Sequence, residues 1–90
     1  MNEAEVKKLA DRLLAEDLGK YGFREVEVST AEDEDGDEFF DISAYFNPSR
    51  TPLDPRASIR STSRLRQALL DAGENRFPNV LHILPGANPT

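Results

Sequence analysis

The chain has 90 residues, a formal net charge of −6 at pH 7, 38% hydrophobic residues and no cysteine. This length predicts a single domain, which we place at residues 1–84, and the lack of cysteine excludes disulfides, thiolate nucleophiles and cysteine-ligated metals. No apolar run approaches the roughly 20 residues that a membrane helix needs, and the N-terminus lacks the apolar stretch of a secretory signal, so we expect a cytoplasmic protein without a membrane partner.

The charge is distributed unevenly along the chain. Residues 1–46 contain fourteen acidic and five basic residues, whereas residues 47–90 contain six arginines and three acidic residues. An acidic total disfavours non-specific binding to nucleic acids, because phosphates repel carboxylates. The acidic half favours a basic protein as partner, while the arginines of the second half leave a local anion site open.

The first predicted element is a helix over residues 3–18. Its apolar residues recur at three- and four-residue steps and form one stripe of Val6, Leu9, Ala10, Leu13 and Leu14. Asn2 followed by Glu5 at the third position is typical of a capping box, and Gly19 or Gly22 is expected to end the helix in a left-handed conformation. Asp17 falls on the apolar stripe, which fraying of the helix near Gly19 explains most simply, and a partner among the arginines is the alternative.

Two strands are predicted next, over residues 23–30 and 38–46. In the first, Val26 and Val28 alternate with Glu25 and Glu27, which is the period of a half-buried strand. The second has one face made of Phe40, Ile42, Ala44 and Phe46, and another made of Phe39, Asp41, Ser43 and Tyr45. Asp35-Gly36 lies between the strands and predicts a hairpin, in which both turn positions can need a positive φ.

The connection between these strands is strongly acidic, since six of the seven residues from Glu32 to Glu38 are carboxylates. A calcium-binding EF-hand loop requires ligands at fixed positions with glycine at position 6, and no starting point in this segment satisfies that spacing. We therefore predict no metal or cofactor and favour a solvated hairpin. Contact with a basic partner and a weak divalent-ion site remain as alternatives.

A second helix is predicted over residues 62–72, where apolar residues form a stripe. Asp54-Pro55 resembles an N-cap followed by the first helical residue, so a start at Pro55 is the alternative, although the apolar stripe is lost there. Arginines spaced by four, with a serine among them, give an anion-binding candidate that consists of Arg56, Arg60, Arg64 and Ser61. The alternatives to an anion site are a solvated helix face and a docking site for an acidic protein, and no glycine-rich nucleotide motif is present.

The last predicted strand covers residues 77–84, with Leu81 and Ile83 on one face and Val80, His82 and Leu84 on the other. Residues 85–90 are expected to form a flexible tail. His82 is the only histidine, and a lone histidine in a strand is most simply a structural polar group. Because no serine lies beside a base in a pattern that marks a nucleophile, we expect a protein that is not an enzyme.

The element order αββαβ predicts an α+β fold, a two-layer sandwich in which two helices cover one face of a three-stranded sheet. Two strand orders satisfy the connections. We favour the wholly antiparallel order 2-1-3, and the mixed order 1-2-3 with a right-handed crossover is also possible.

The uncovered sheet face is the predicted interaction surface. We expect it to present Glu25, Glu27, Phe39, Asp41, Tyr45, Val80 and Leu84. Large apolar groups on an open sheet usually need a cover, and a second copy of the chain is the simplest one, so we expect a homodimer through this face. The predicted function is a small acidic protein-interaction module, comparable to inhibitors, immunity proteins and antitoxins by class analogy only. The alternative is anion or nucleic-acid binding through the arginines.

Overall fold

The computed structural model describes residues 1–86. Its elements are α1 (Glu3–Leu18), a 3-10 turn (Gly19–Tyr21), β1 (Phe23–Glu32), β2 (Glu38–Phe46), α2 (Pro55–Asp71) and β3 (Phe77–Ile83). The order αββαβ and the α+β class are therefore confirmed. Most of the predicted flexible tail lies outside the described residues.

Helix α1 has the bounds that the sequence predicts. The Asn2 side chain accepts a hydrogen bond from the Glu5 N–H at 2.8 Å, and the Glu5 carboxylate accepts from the Asn2 N–H at 2.9 Å, which completes the capping box. Gly19 remains right-handed, and the chain reverses at Gly22, where φ is 95°. A Cβ at Gly22 would lie 2.4 Å from the carbonyl oxygen of Asn47, so this position requires glycine.

The hairpin forms where it is predicted, but with a different turn. β1 runs to Glu32, two residues beyond the predicted end. Within the turn, Gly36 has a positive φ but Asp35 does not, since all positive-φ residues of the described chain are glycines. The Asp33 carbonyl accepts from the Gly36 N–H at 3.0 Å, and Asp33 Oδ1 accepts from the N–H groups of Asp35 and Asp37. The Asp33 side chain thus replaces the second positive-φ residue that was expected.

Helix α2 begins at Pro55, so the longer of the two predicted extents is correct. The Asp54 carboxylate accepts from the Arg56 N–H at 3.0 Å and caps the helix. The buried stripe continues through the polar first half because Ala57 and Ser61 take the places of larger apolar residues next to Leu65. Small side chains at these positions allow this end of the helix to approach the core closely.

The sheet has the order β1-β2-β3, with β1 and β2 antiparallel and β2 and β3 parallel. The favoured order 2-1-3 is wrong, because side chains of α1 occupy the outer edge of β1. Lys7 Nζ donates to the Val26 carbonyl at 2.6 Å, and the Val26 N–H donates to Asp11 at 2.8 Å. The Thr30 N–H donates to Glu3 at 2.8 Å. Only the free edge of β2 remains for β3.

Both helices contribute to one core, which lies over the sheet face that bears Phe40, Ile42 and Ala44. These three side chains are fully buried. The helices add Val6, Ala10, Leu13, Leu14 and Leu18 from α1, and Ala57, Leu65 and Leu69 from α2. Within residues 1–86, no helix has the length and apolar character needed to cross a bilayer.

The facing of β3 differs from the prediction. Ile42 is the register partner of Val80, and neighbouring positions on parallel strands point to the same side, so Val80 packs toward the helices against the core. Leu84 follows the last residue of β3. The prediction that Val80 lies on the open face is therefore wrong, and Leu84 lies outside the strand. The β3 residues that alternate onto the open face are Phe77, Asn79, Leu81 and Ile83.

Candidate functional site: an acidic groove on the open sheet face

The open sheet face combines acidic and aromatic side chains on its first two strands. Glu25 is the register partner of Tyr45, Ser29 is that of Asp41, and Ala31 is that of Phe39. The prediction is therefore correct in placing Glu25, Glu27, Phe39, Asp41 and Tyr45 on one side of the sheet. Residues 23–46 contain nine carboxylates and one arginine, so the hairpin formed by β1 and β2 carries a strong negative charge.

The carboxylates of this face differ in how far they are neutralised. Glu25 lies 3.6 Å from Lys7 and 3.7 Å from Arg24, so its charge is partly compensated. Glu27 accepts a hydrogen bond from the Tyr45 hydroxyl at 3.0 Å, and this bond raises the pKa of Tyr45. Asp41 is exposed and has no ion pair among the described residues.

A groove lies at the end of the sheet where the hairpin approaches the start of β3. We call it the acidic groove and define it by its lining residues, which are Asp33, Gly36, Asp37, Glu38, Phe39, Asn75, Arg76, Phe77 and Asn79. The hairpin supplies three carboxylates along one wall. Phe39 and Phe77, which are register partners on β2 and β3, line the rest of the groove, and the Arg66 guanidinium of α2 lies 5.3 Å from the centre of the Phe77 ring. Phe77 is 48% exposed.

The charges at the groove are mostly unpaired. Carboxylate oxygens of Asp33, Asp35 and Asp37 lie within 4.8 Å of one another, and all three residues are exposed. The one cation that lines the groove is Arg76, which lies 3.6 Å from Glu38. This combination suits a lysine or arginine side chain, because carboxylates attract its charged head while aromatic rings contact its aliphatic stem.

Arg76 is fixed by contacts with Glu74, Met1 and Phe40, and these contacts were not predicted from the sequence. Its Nε and Nη2 atoms each donate to the Glu74 carboxylate at 3.0 Å, and Nη2 also donates to the Met1 carbonyl at 2.6 Å. The guanidinium lies 4.3 Å from the centre of the buried Phe40 ring. Glu74 is only 7% exposed, and the Arg76 hydrogen bonds hold its pKa well below the ordinary range. The only sequence signal was the Glu-x-Arg spacing in a short connection.

The predicted arginine series does not converge on a common point. Arg64 donates to both Asp17 and Glu16, the second at 2.8 Å, so this arginine is neutralised by α1. These hydrogen bonds raise the pKa of Arg64 and lower that of Glu16. Asp17 thus has the arginine partner that the sequence suggested. Arg56 and Arg60 are exposed.

Ser61 is buried rather than available at the surface. It is 1% exposed, and its Oγ has no hydrogen-bond partner within the described chain. The shallow depression next to it is lined by Asp17, Ala57, Arg60, Ser61 and Arg64. An anion in this depression would face the carboxylate of Asp17 and would have to compete for an arginine that is already paired, so the site is poorly suited to phosphate.

His82 faces the helices, in a groove lined by Ser58, Ile59, Thr62, Ser63 and Val80. Its burial lowers its pKa, and its Nε2 atom has no partner among residues 1–86. The Ser58 and Thr62 hydroxyls donate to backbone carbonyls of α2 at 2.8 and 3.0 Å. No carboxylate lines this groove, so the arrangement lacks both an activated hydroxyl and an acid–base pair.

Comparison of the chain with models of known protein families gave no match. Comparison with curated proteins also gave no match. The function is therefore argued from the geometry and charge of the acidic groove and the surrounding sheet face.

Proposed function

We propose that this protein is a non-enzymatic interaction module that binds a basic protein partner at the acidic groove and the adjoining carboxylates of the open sheet face. The observation that supports this most directly is the presence of exposed carboxylates together with Phe39 and Phe77 in the lining of one groove. A hydrated metal ion would use the carboxylates alone, whereas a lysine or arginine side chain uses both.

Binding begins with long-range attraction. The nine carboxylates and one arginine of residues 23–46 create a negative potential that steers a basic surface toward this side of the molecule. In the bound state, a basic side chain places its head near Asp37 and Glu38 and its stem across Phe39 and Phe77. Glu27 and Asp41 extend the contact along the sheet.

The groove is suited to this role because its inner wall is fixed before binding. Arg76 is held by Glu74 and by the Phe40 ring, so it does not have to be ordered when the partner arrives. Small acidic proteins that work as inhibitors, immunity proteins or antitoxins use comparable charge complementarity. This comparison is one of class, and the proposed setting is the cytoplasm.

The test is affinity capture from cells of the native host, with paired variants of the hairpin. Asp37→Asn with Glu38→Gln removes two charges that line the groove. Glu32→Gln with Glu34→Gln removes two charges from the same hairpin that belong neither to the groove lining nor to the Asp33–Asp35–Asp37 cluster. The double variants therefore have equal net charge, and comparing them separates the groove from the general acidity of the chain.

The proposal predicts a basic protein that elutes at moderate salt, is lost with Asp37→Asn/Glu38→Gln, and is retained with Glu32→Gln/Glu34→Gln. Equal loss with both variants would mean that only net charge matters, and would contradict a specific groove. Capture that is insensitive to both variants would contradict the proposal altogether. A 15N NMR titration with a short Arg-Leu repeat peptide supplies a defined probe, and shifts concentrated at residues 33–39 and 77–79 are expected.

The anion-binding alternative has less support. Arg64 is paired with α1, Ser61 is buried, and only Arg56 and Arg60 remain exposed in the series. Phosphate titration followed by NMR tests it directly, and chemical-shift changes clustered at residues 55–66 would favour it over the acidic groove.

A further inference from the structure

The two edges of the sheet differ in whether other parts of the chain bond to their outer backbone groups. Side chains of α1 bond to the outer backbone groups of β1, including the N–H and carbonyl of Val26. β3 forms the other edge, and no backbone hydrogen bond from the rest of the described chain reaches its outer side. An exposed strand edge is a template for another strand unless charge, proline or a covering element protects it.

The β3 edge is also the most apolar part of the surface. Four of the five large hydrophobic residues that the structure leaves exposed lie on β3, directly after it, or on the part of α2 that overhangs it. They are Ile59 at 67%, Leu81 at 58%, Phe77 at 48% and Leu84 at 41% exposure. Residues 77–84 contain no charged residue, in a chain whose net charge is −6.

The charge layout indicates which partner fits this edge. A basic partner would gain nothing from an uncharged strand, and stacking two open faces would bring carboxylates against carboxylates. Side-by-side pairing of two β3 strands avoids this repulsion, because the β2 strands of the two copies lie three strand spacings apart, at about 14 Å, and the β1 strands lie five apart, at about 24 Å, both beyond the Debye length of about 8 Å at physiological ionic strength. The acidic rows of β1 and β2 would then lie on either side of an uncharged centre.

We propose that two copies of this chain associate through antiparallel pairing of their β3 strands, which gives one continuous six-stranded sheet with a two-fold axis. The pairing joins the exposed apolar side chains of both copies at the centre of the sheet. A two-fold axis suits this surface because an uncharged apolar strand is complementary to itself.

Pro78 sets the register. Proline is tolerated in an edge strand when its nitrogen points away from the neighbouring strand, so Pro78, Val80 and His82 direct their backbone groups toward the free edge. Pro78 cannot donate and so protects only the start of the edge, which leaves Val80 and His82 as the residues that both donate and accept there. Mutual pairing of Val80 with the His82 of the second copy places the axis at Leu81.

This dimer differs from the face-to-face dimer that the sequence suggested, and it does not depend on the proposed binding of a basic partner. The hairpin carboxylates of each acidic groove precede or begin β2, away from the β3 edge, and stay accessible in this arrangement. A dimeric protein would therefore present two grooves to a basic surface, which strengthens attachment to a multivalent partner without a new contact.

Sedimentation velocity of the whole chain tests the association, at concentrations up to about 200 µM because small interfaces have micromolar dissociation constants. Leu81→Lys places a charge at the axis on a residue that is 58% exposed, so folding is retained. Ser29→Lys adds the same charge at an exposed position on β1. We expect a dimer for the wild type and for Ser29→Lys, and an affinity at least tenfold weaker for Leu81→Lys. A monomeric wild type, or a Leu81→Lys variant that dimerises normally, would overturn the proposal.

Disulfide formation tests the register. The chain has no cysteine, so Leu81→Cys and Ser29→Cys each introduce a single thiol. Facing residues at a non-hydrogen-bonded antiparallel position have Cα atoms about 4.5 Å apart, which a disulfide can span. We expect Leu81→Cys to form a covalent dimer rapidly on mild oxidation and Ser29→Cys to do so slowly. Equal rates for the two variants would exclude an axis at Leu81.

Discussion

Replacing Ser61 with alanine should make the protein more stable. Ser61 lies on the buried stripe of α2 at 1% exposure, and its hydroxyl forms no hydrogen bond within the described residues. A buried polar group without a partner costs about 1–3 kcal/mol, and alanine has a higher helix propensity than serine by up to about 0.7 kcal/mol. Removing the oxygen atom also removes its van der Waals attraction to neighbouring atoms, which reduces the gain by a few tenths of a kcal/mol.

The expected net effect of Ser61→Ala is a rise of about 1–2 kcal/mol in the free energy of unfolding. For a domain of this size, each 1 kcal/mol corresponds to about 4–8 °C in Tm. Urea denaturation followed by circular dichroism measures the first quantity, and a thermal scan of the same variant measures the second.

Ser58→Ala is the matched control, because it makes the same change on the same helix at a hydroxyl that does have a partner. Ser58 Oγ donates to the Pro55 carbonyl at 2.8 Å, so its removal loses a hydrogen bond and should give no gain beyond about 0.5 kcal/mol. If Ser61→Ala were neutral or destabilising, the Ser61 hydroxyl must have a stabilising partner, and the argument from burial would be refuted.

Two further stability predictions follow from the loops. Glu74→Gln should destabilise the protein most near neutral pH, because hydrogen bonds from Arg76 lower the pKa of Glu74 in the folded state. The stability that the charged carboxylate contributes is fully present above the unfolded pKa of about 4.3 and is lost as pH falls through the folded pKa. The denaturation curves of the wild type and the variant should therefore converge in acid. A gap that persists unchanged in acid would contradict this. Gly22→Ala should lower the free energy of unfolding by at least about 2 kcal/mol, because its Cβ would meet the Asn47 carbonyl and the residue has a φ of 95°. Gly19→Ala should raise it by about 0.5–1 kcal/mol, because a Cβ there meets nothing within 4 Å. Equal denaturation midpoints for the two variants would refute the assignment of the turn to Gly22.

Local sequence signals were sufficient for the elements that are defined by nearest neighbours. The capping box of Asn2 and Glu5 gives the start of α1, and alternation in β2 gives its buried face, because capping geometry and strand period depend only on adjacent residues. Asp54-Pro55 indicated the correct start of α2 as an alternative. The later start at residue 62 was favoured because the buried stripe of the first half is made of Ala57 and Ser61, which are small and do not mark a buried face in the sequence.

The strand order and the facing of β3 depend on contacts that are distant in sequence. Lys7 and Asp11 lie on the outer side of α1 in the sequence pattern, and nothing local indicates that they bond to the edge of β1 and exclude a third strand. β3 has apolar residues on both sides, so its alternation could not show that Val80 faces the core while Leu81 faces solvent.

Only part of the candidate site was predicted, because the rest also depends on contacts between residues that are distant in sequence. The acidic hairpin and the aromatic residues of β2 were recognised from the sequence. The groove itself was not, because it requires Phe77 and Arg76 to lie beside Phe39, and that proximity follows from the parallel pairing of β2 with β3. Glu74 was missed because its burial depends on its hydrogen bonds to Arg76.

Hydrogen–deuterium exchange of the protein with and without its captured basic partner tests the central proposal most directly. Binding at the acidic groove should slow exchange in residues 33–39 and 75–79, the two segments that contain its lining, and should leave α1 and α2 unchanged. Protection confined to the helices, with the hairpin and the start of β3 exchanging at the same rate in both states, would contradict it.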